Sequence, residues 1–290
     1  MITYNHENYI QDAIEGVLMQ ETSFPFEVII HDDASTDRTA DIIRKYAADD
    51  ARIKTIYQTE NQYSKGIRAF PHYVWPEARG KYVAVCEGDD YWTDPHKLQK
   101  QVDFLEKNPD CSLCFHAIEV KSCSGKVEQS RVMRYAAAQG TGKFNPQKLL
   151  KTGAPVAKLA SFVLPSEIVK NLPKWYYDAP IGDIPLKFIC ASKGDFGYID
   201  EPMGVYRAMV PGSFTSKKAT MPYRHIVKHY HDTADYVNSF NVYSGGRYKQ
   251  EADSFLRSKK KGSAAAIMKR FGPVKTLKFL WESRNNYIQL

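Results

Sequence analysis

From the N-terminus to about residue 115, the apolar positions switch repeatedly between short continuous runs and three-to-four spacing. Runs bounded by turn residues predict buried strands, the wider spacing predicts amphipathic helices, and their alternation predicts a mainly parallel sheet. Residues 1–4 read as the end of a strand. Asn5 is placed to cap a helix carrying Tyr9, Ile10, Ala13, Ile14, Val17 and Leu18, with Glu7 in its first turn. The run at 26–31 predicts a strand, 36–48 a helix with Ile42 and Ile43 inward, and 53–57 a short strand. A helix near 66–78 leads to a strand over 81–86; after Pro95 a helix carries Leu98, Val102 and Leu105 and is stopped by Asn108-Pro109.

Beyond this the pattern is less regular, with strands expected near 111–120, 158–164 and 196–200 and a helix near 183–193. The polar, glycine-containing stretch 124–145 reads as a loop. After Lys217 the pattern turns helical, and Ser244-Gly245-Gly246 breaks it.

A chain of 290 residues that is 43% hydrophobic can bury a substantial core. No apolar stretch approaches the ~20 residues that span a bilayer, and no basic segment with an apolar signal core opens the chain, so the expected location is cytoplasmic. The five cysteines are too sparse for a disulfide scaffold, and Cys111 and Cys114 form a CxxC without a second pair, which reads as core thiols rather than zinc ligands. The net charge of +7 is uneven: residues 257–290 hold nine Lys or Arg against one acid, leaving the rest of the chain at −1. In that tail, cations are mixed with Ile267, Met268, Phe271, Leu277, Phe279, Leu280 and Trp281. Two readings stay open: peripheral contact of 257–284 with the inner face of an anionic plasma membrane, or a helical pair packed on the body.

The densest chemistry is Glu87-Gly88-Asp89-Asp90, at the carboxyl end of the run 81–86. Carboxylates packed within a few Å need a proton or a cation between them, so the cluster reads as a site for Mg²⁺ or Mn²⁺ and suggests phosphate chemistry. Asp89 and Asp90 as turn residues is the plainer alternative. A second apolar run also ends in acid, Asp32-Asp33, and in an open α/β sheet parallel strands deliver their carboxyl ends to one ligand-binding rim.

Taken in order, Thr3-Tyr4-Asn5, Asp32-Asp33-Ala34-Ser35-Thr36-Asp37, Glu87-Gly88-Asp89-Asp90-Tyr91-Trp92, Pro95, Lys97-Leu98, Gln101-Val102, Gly182-Asp183-Ile184-Pro185-Leu186 and Gly204-Val205-Tyr206-Arg207 resemble the family 2 glycosyltransferases. The resemblance implies the α/β GT-A fold, a mainly parallel central sheet flanked by helices. It implies a catalytic domain over 1–215, with a donor-binding half (1–107) and an acceptor-binding half (108–215), followed by a basic helical extension over 216–290. It further implies an inverting enzyme that takes a nucleotide-sugar donor, UDP-sugar first, and a glycan or lipid-linked acceptor in surface polysaccharide synthesis.

Residue by residue, Thr3, Tyr4, Asn5 and Asp33 would line the donor site, Asp33 accepting a base N–H. Asp89 would lie nearer the ribose, Asp90 would meet the metal, and Glu87 stands where the family usually has Asp. Asp183 matches the general base, with a helix N-cap as its plainer reading, and Arg207 would add charge against the diphosphate. Two departures stand out: Met209 replaces a frequent His, which points to weaker metal dependence, and Met1 falls inside the expected first strand, as a mistaken start or a shortened chain would leave it.

Trp175-Tyr176-Tyr177 reads equally as an acceptor-stacking group or as core, and His225 and His229 as surface or packing residues. A nucleotidyltransferase would bring a glycine-rich phosphate loop near the start, which Thr3-Tyr4-Asn5-His6-Glu7 is not. The body's −1 balance argues against nucleic acid, and no GxGxxG or GxxxxGK[ST] supports a dinucleotide or P-loop enzyme.

Overall fold

The computed structural model describes residues 1–284 except 124–129, 136–139, 154, 156, 214–215 and 218–219. The chain divides into two compact units, the first built from 1–145, 156–172 and 193–211, the second from 146–155, 173–192 and the residues from 212 onward.

In the first unit β1 (Ile2–Thr3), β2 (Val28–Asp32) and β3 (Ile53–Tyr57) form a parallel sheet in that order, with α1 (Ile10–Leu18) and α2 (Thr39–Asp49) as crossovers. β2 is buried at every position, which explains its continuous apolar run. α1 buries Ile10, Ala13, Ile14 and Val17, the face its spacing predicts. Seven further strands, β4 (Tyr82–Ala84), β5 (Tyr91–Trp92), β6 (Cys111–Ser122), β7 (Ser130–Met133), β8 (Gly142–Phe144), β9 (Val163–Pro165) and β10 (Asp195–Ala208), form a mixed sheet. Its path is β4-β9-β6-β10-β5, with β7 on β6 and β8 on β10; the long β6–β10 ladder is parallel. α3 (Lys97–Lys107) buries Leu98 and Leu105 in a core shared with Ile10, Ile14, Ile30 and Met203.

Four sequence expectations change. The helix near 66–78 is a π turn, Phe70–Val74, beside the 3-10 turn Trp75–Glu77, because Pro71 and Pro76 have no N–H to continue an α-helix. The stretch 124–145 contains β7 and β8; its residues 124–129 and 136–139 lie outside those described. The expected strand at 158–164 begins as the 3-10 turn Leu159–Ser161 and becomes β9 only at Val163. The strand at 196–200 runs on to Ala208, with register shifts around Pro202, and so carries Tyr206 and Arg207 to the rim described below. Cys111 and Cys114 are buried free thiols on β6, as core residues should be.

A slot of about 760 Å³ lies between β2 and β4, lined by Met1, Phe26, Val28, Tyr82 and Trp92 among others. It is mainly apolar and contains none of the rim acids, so its size does not make it the donor site.

The second unit is helical: α4 (Asp183–Lys193), α5 (Tyr223–Tyr243) and α6 (Lys249–Glu282). Phe188 on α4 meets the rings of Phe240 and Phe255 at 5.0 and 5.3 Å. Tyr176 is buried and Trp175 packs edge-on against Phe240 and Tyr243, so these two belong to the core. Gly245 and Gly246, both at positive φ, end α5 where the sequence breaks. α6 packs on α5 through Ile267 and Phe279 against Ile226 and Tyr230; residues 285–290 lie outside those described. His225 is exposed and His229 half-buried on α5. No described helix is long and apolar enough to cross a membrane.

Candidate active site

Parallel pairing sets Thr3 opposite Asp32, and a parallel bridge between Ile2 and Glu87 brings residues 87–90 to the same rim. β10 joins through the Arg207 backbone N–H, which donates to Asp90 Oδ1 at 2.8 Å. The rim therefore gathers Thr3, Tyr4, Asn5, Asp33, Glu87, Asp89, Asp90 and Arg207 from four separate stretches of chain. Gly88 makes the closeness feasible: a Cβ there would stand 2.7 Å from Thr3 Oγ1 and 2.8 Å from Thr3 Cβ.

Asp33 is buried, and its carboxylate accepts the backbone N–H groups of Gln62 at 2.8 Å and Tyr63 at 3.0 Å, which closes the loop after β3. A carboxylate has about four acceptor sites, so acceptor capacity remains for a base N–H. Tyr4 follows Thr3, which pairs with Asp32 across the sheet, and is 43% exposed. Asn5 does not cap α1, which begins after Tyr9 without a side-chain cap. Asn5 instead takes a left-handed backbone (φ 54°), accepts from the Thr36 N–H at 2.8 Å and donates its own N–H to Ser35 Oγ at 2.9 Å, stapling the loops after β1 and β2.

Asp90 is 1% exposed; Oδ1 is bonded to Arg207, whereas Oδ2 has no partner among the described residues. Burial, then the charges of Asp89 and Glu87, push its carboxyl well above the usual carboxylate range. An orphaned, buried carboxylate oxygen beside two further acids is what a divalent cation would relieve, so the donor set fits Mg²⁺ or Mn²⁺. No three His, Cys, Asp or Glu side chains among the described residues converge as a complete cage.

Arg207 sits 4.3 Å from the Tyr91 ring centroid and 5.2 Å from that of Tyr9. Its Nη1 donates to the Asp89 carbonyl at 3.1 Å and its Nη2 pairs with Asp12. Sequence reasoning missed Asp12, Tyr9 and Tyr91 in this role; the available signal was that Tyr9 and Asp12, three apart, share one face of the first turn of α1. Met209, two residues beyond Arg207, has a left-handed backbone (φ 64°), unusual for its type.

The sequence model of glycosyl transferase family 2 matches residues 1–163, more than half of the chain. The chain belongs to glycosyl transferase family 2. Among its relatives, the uncharacterized protein Rv1520 of Mycobacterium tuberculosis is 36% identical over 221 residues, 74% of this chain and 59% of that protein. The chain thus spans less than two thirds of that relative's length. The putative teichuronic acid biosynthesis glycosyltransferase TuaG of Bacillus subtilis is 36% identical over 124 residues, 42% of this chain and 46% of its own. The crystal structure of S. aureus TarS 1-349 in complex with UDP-GlcNAc superposes with a TM-score of 0.72 at 17% identity, covering 98% of this chain and 79% of that one. The family fold is accordingly GT-A, α/β with a helical C-terminal segment.

The family's expected base, Asp183, belongs to the second unit, as the first residue of α4. Its side chain is 43% exposed, and Lys187, one turn on and only 2% exposed, donates to its Oδ2 at 3.3 Å. Asp183 stands at the first position of that helix, where the backbone N–H groups favour a negative charge.

Proposed function

We propose that the protein is an inverting glycosyltransferase that moves a sugar from a nucleoside-diphosphate donor, a UDP-sugar first, to a glycan or lipid-linked acceptor in surface polysaccharide synthesis. The observation that carries this reading is the orphaned Asp90 Oδ2, buried between like charges at the strand rim of a family 2 fold. The names of two similar proteins support the setting: TuaG is described for teichuronic acid biosynthesis, and TarS was crystallised with UDP-GlcNAc.

In this reading Asp33 accepts a base N–H and Tyr4 lies against the base. Asp89 reaches the ribose side, and Asp90 with Asp89, and Glu87 at longer reach, would hold Mg²⁺ or Mn²⁺. When bound, such a cation supplies positive charge against the departing diphosphate. Asp183 takes the proton of an acceptor hydroxyl as that oxygen bonds to the anomeric carbon; the bond from that carbon to the diphosphate breaks on the opposite face, inverting the centre. The Arg207 guanidinium, fixed between two tyrosine rings, adds charge on the leaving side.

Transfer from radiolabelled UDP-sugars by Asp183→Asn tests the base. Near-complete loss of transfer with nucleotide binding retained is the expected result; transfer at the native rate overturns the assignment.

A further inference from the structure

The last stretch of α6 carries two apolar faces, of which the fold uses one. Gly272, at φ 81°, and Pro273 bend the helix, so the residues after them form a separate short arm. On that arm Thr276, Phe279 and Ser283 are buried, and Phe279 packs with Ile226 and Tyr230 of α5. Val274, Leu277 and Trp281 follow i, i+3, i+7 spacing on the opposite side and are 78%, 67% and 71% exposed. Isolated exposed apolar residues are ordinary, but three in one stripe are not.

What surrounds the stripe narrows its partner. Lys275, Lys278 and Arg284 flank it, all exposed, and Glu282 is the sole acid of the arm, paired with Lys278 at 3.8 Å. Lys275 is steadied near the rings of Phe271 and Tyr223, at 5.0 and 5.5 Å, so one flank of positive charge has a defined place. A stripe of Val, Leu and Trp bordered by cations is complementary to a surface that is anionic outside and apolar a few Å below, as headgroups over acyl chains are. A nucleic acid would match the cations but not the apolar stripe.

We propose that the Val274–Leu277–Trp281 face is a docking surface for an anionic lipid bilayer, entered in the plane of the interface. This refines the basic tail from a general charge excess to one face of one helical arm. The proposal rests on that helix alone and stands independently of the glycosyl-transfer reading.

The test is co-sedimentation of the full chain with vesicles of phosphatidylcholine alone and of phosphatidylcholine mixed with phosphatidylglycerol, with light scattering of the protein alone. Binding to the mixed vesicles only, weakening as salt rises, is expected. A Leu277→Ser/Trp281→Ser chain with unchanged circular dichroism should partition at least about tenfold less. Lys278→Gln/Arg284→Gln should lose roughly fivefold per charge on anionic vesicles. Binding unchanged by Leu277→Ser/Trp281→Ser, or no binding to mixed vesicles, overturns the proposal. So does a dimer of the wild-type chain that the same double substitution dissociates, which would assign the stripe to a second copy.

Discussion

Replacing Asp90 by Asn should separate stability from function. The amide keeps an acceptor for the Arg207 N–H now bonded at 2.8 Å, while removing a buried charge whose Oδ2 has no partner among the described residues. A buried charge beside Asp89 and Glu87 costs more than the neutral amide that replaces it, so the metal-free variant should gain on the order of 1 kcal/mol. For a chain of this size about 2–4 °C accompanies each kcal/mol, giving a rise in Tm on the order of 2–4 °C. The pH dependence carries the same signature. Both states of the wild type hold the proton below pH ~4; as pH rises, the unfolded chain releases it first, because burial and the neighbouring acids raise the folded pKa. Wild-type stability without metal therefore falls as pH climbs from ~4 through that raised value, and Asp90→Asn lacks the fall. Differential scanning fluorimetry across pH, with and without Mn²⁺ and UDP, reads all of this. A lower Tm in the metal-free variant, or a metal-dependent shift that survives the substitution, would refute the argument.

Three further outcomes follow from named contacts. Gly88→Ala puts a methyl 2.7 Å from Thr3 Oγ1 and should destabilise by about 1–3 kcal/mol while weakening nucleotide binding, both readable by thermal shift. Arg207→Lys keeps the charge but loses the fork that joins Asp12 to the Asp89 carbonyl between the two tyrosine rings; kcat/KM should drop roughly tenfold to a hundredfold in a steady-state assay, and an unchanged value would remove Arg207 from the site. Burial pushes the Lys97 ammonium, 3.9 Å from the Trp92 ring centroid, down to about 7. Since the unfolded lysine titrates at about 10.4, the wild type should gain stability relative to Lys97→Met as pH rises from 7 to that value, read by urea unfolding of both chains across that range.

Much of the first unit was legible because burial writes its period into the chain. β2, closed on both faces, reads as an unbroken apolar run, and α1 shows its packed stripe at three-to-four spacing. The acid rim was legible because parallel strands carry terminal acids to one edge, so Asp33 and Glu87 to Asp90 could be grouped before any contact was known. The exposed edge strand β7 has no apolar face to advertise and lies in a polar stretch that reads as loop. The Arg207–Asp12 pair joins residues 195 apart, which no local pattern encodes. Asn5 has the right chemistry for a cap, yet the neighbouring loop offered Thr36 N–H and Ser35 Oγ, and those partners won. The second unit draws on three separate segments, an arrangement set by packing around Phe188 and Phe240 rather than by any linker composition.

The central claim is that the rim binds a nucleoside diphosphate through Asp33 and a cation on Asp90, and calorimetric titration tests it most directly. UDP, GDP and deoxythymidine diphosphate would each be titrated into the protein with and without Mn²⁺, and again into Asp90→Asn. The account predicts that one base binds far better than the others, UDP first, and that Mn²⁺ strengthens binding in the wild type but not in the variant. Absence of binding by all three nucleotides to the folded protein would contradict it.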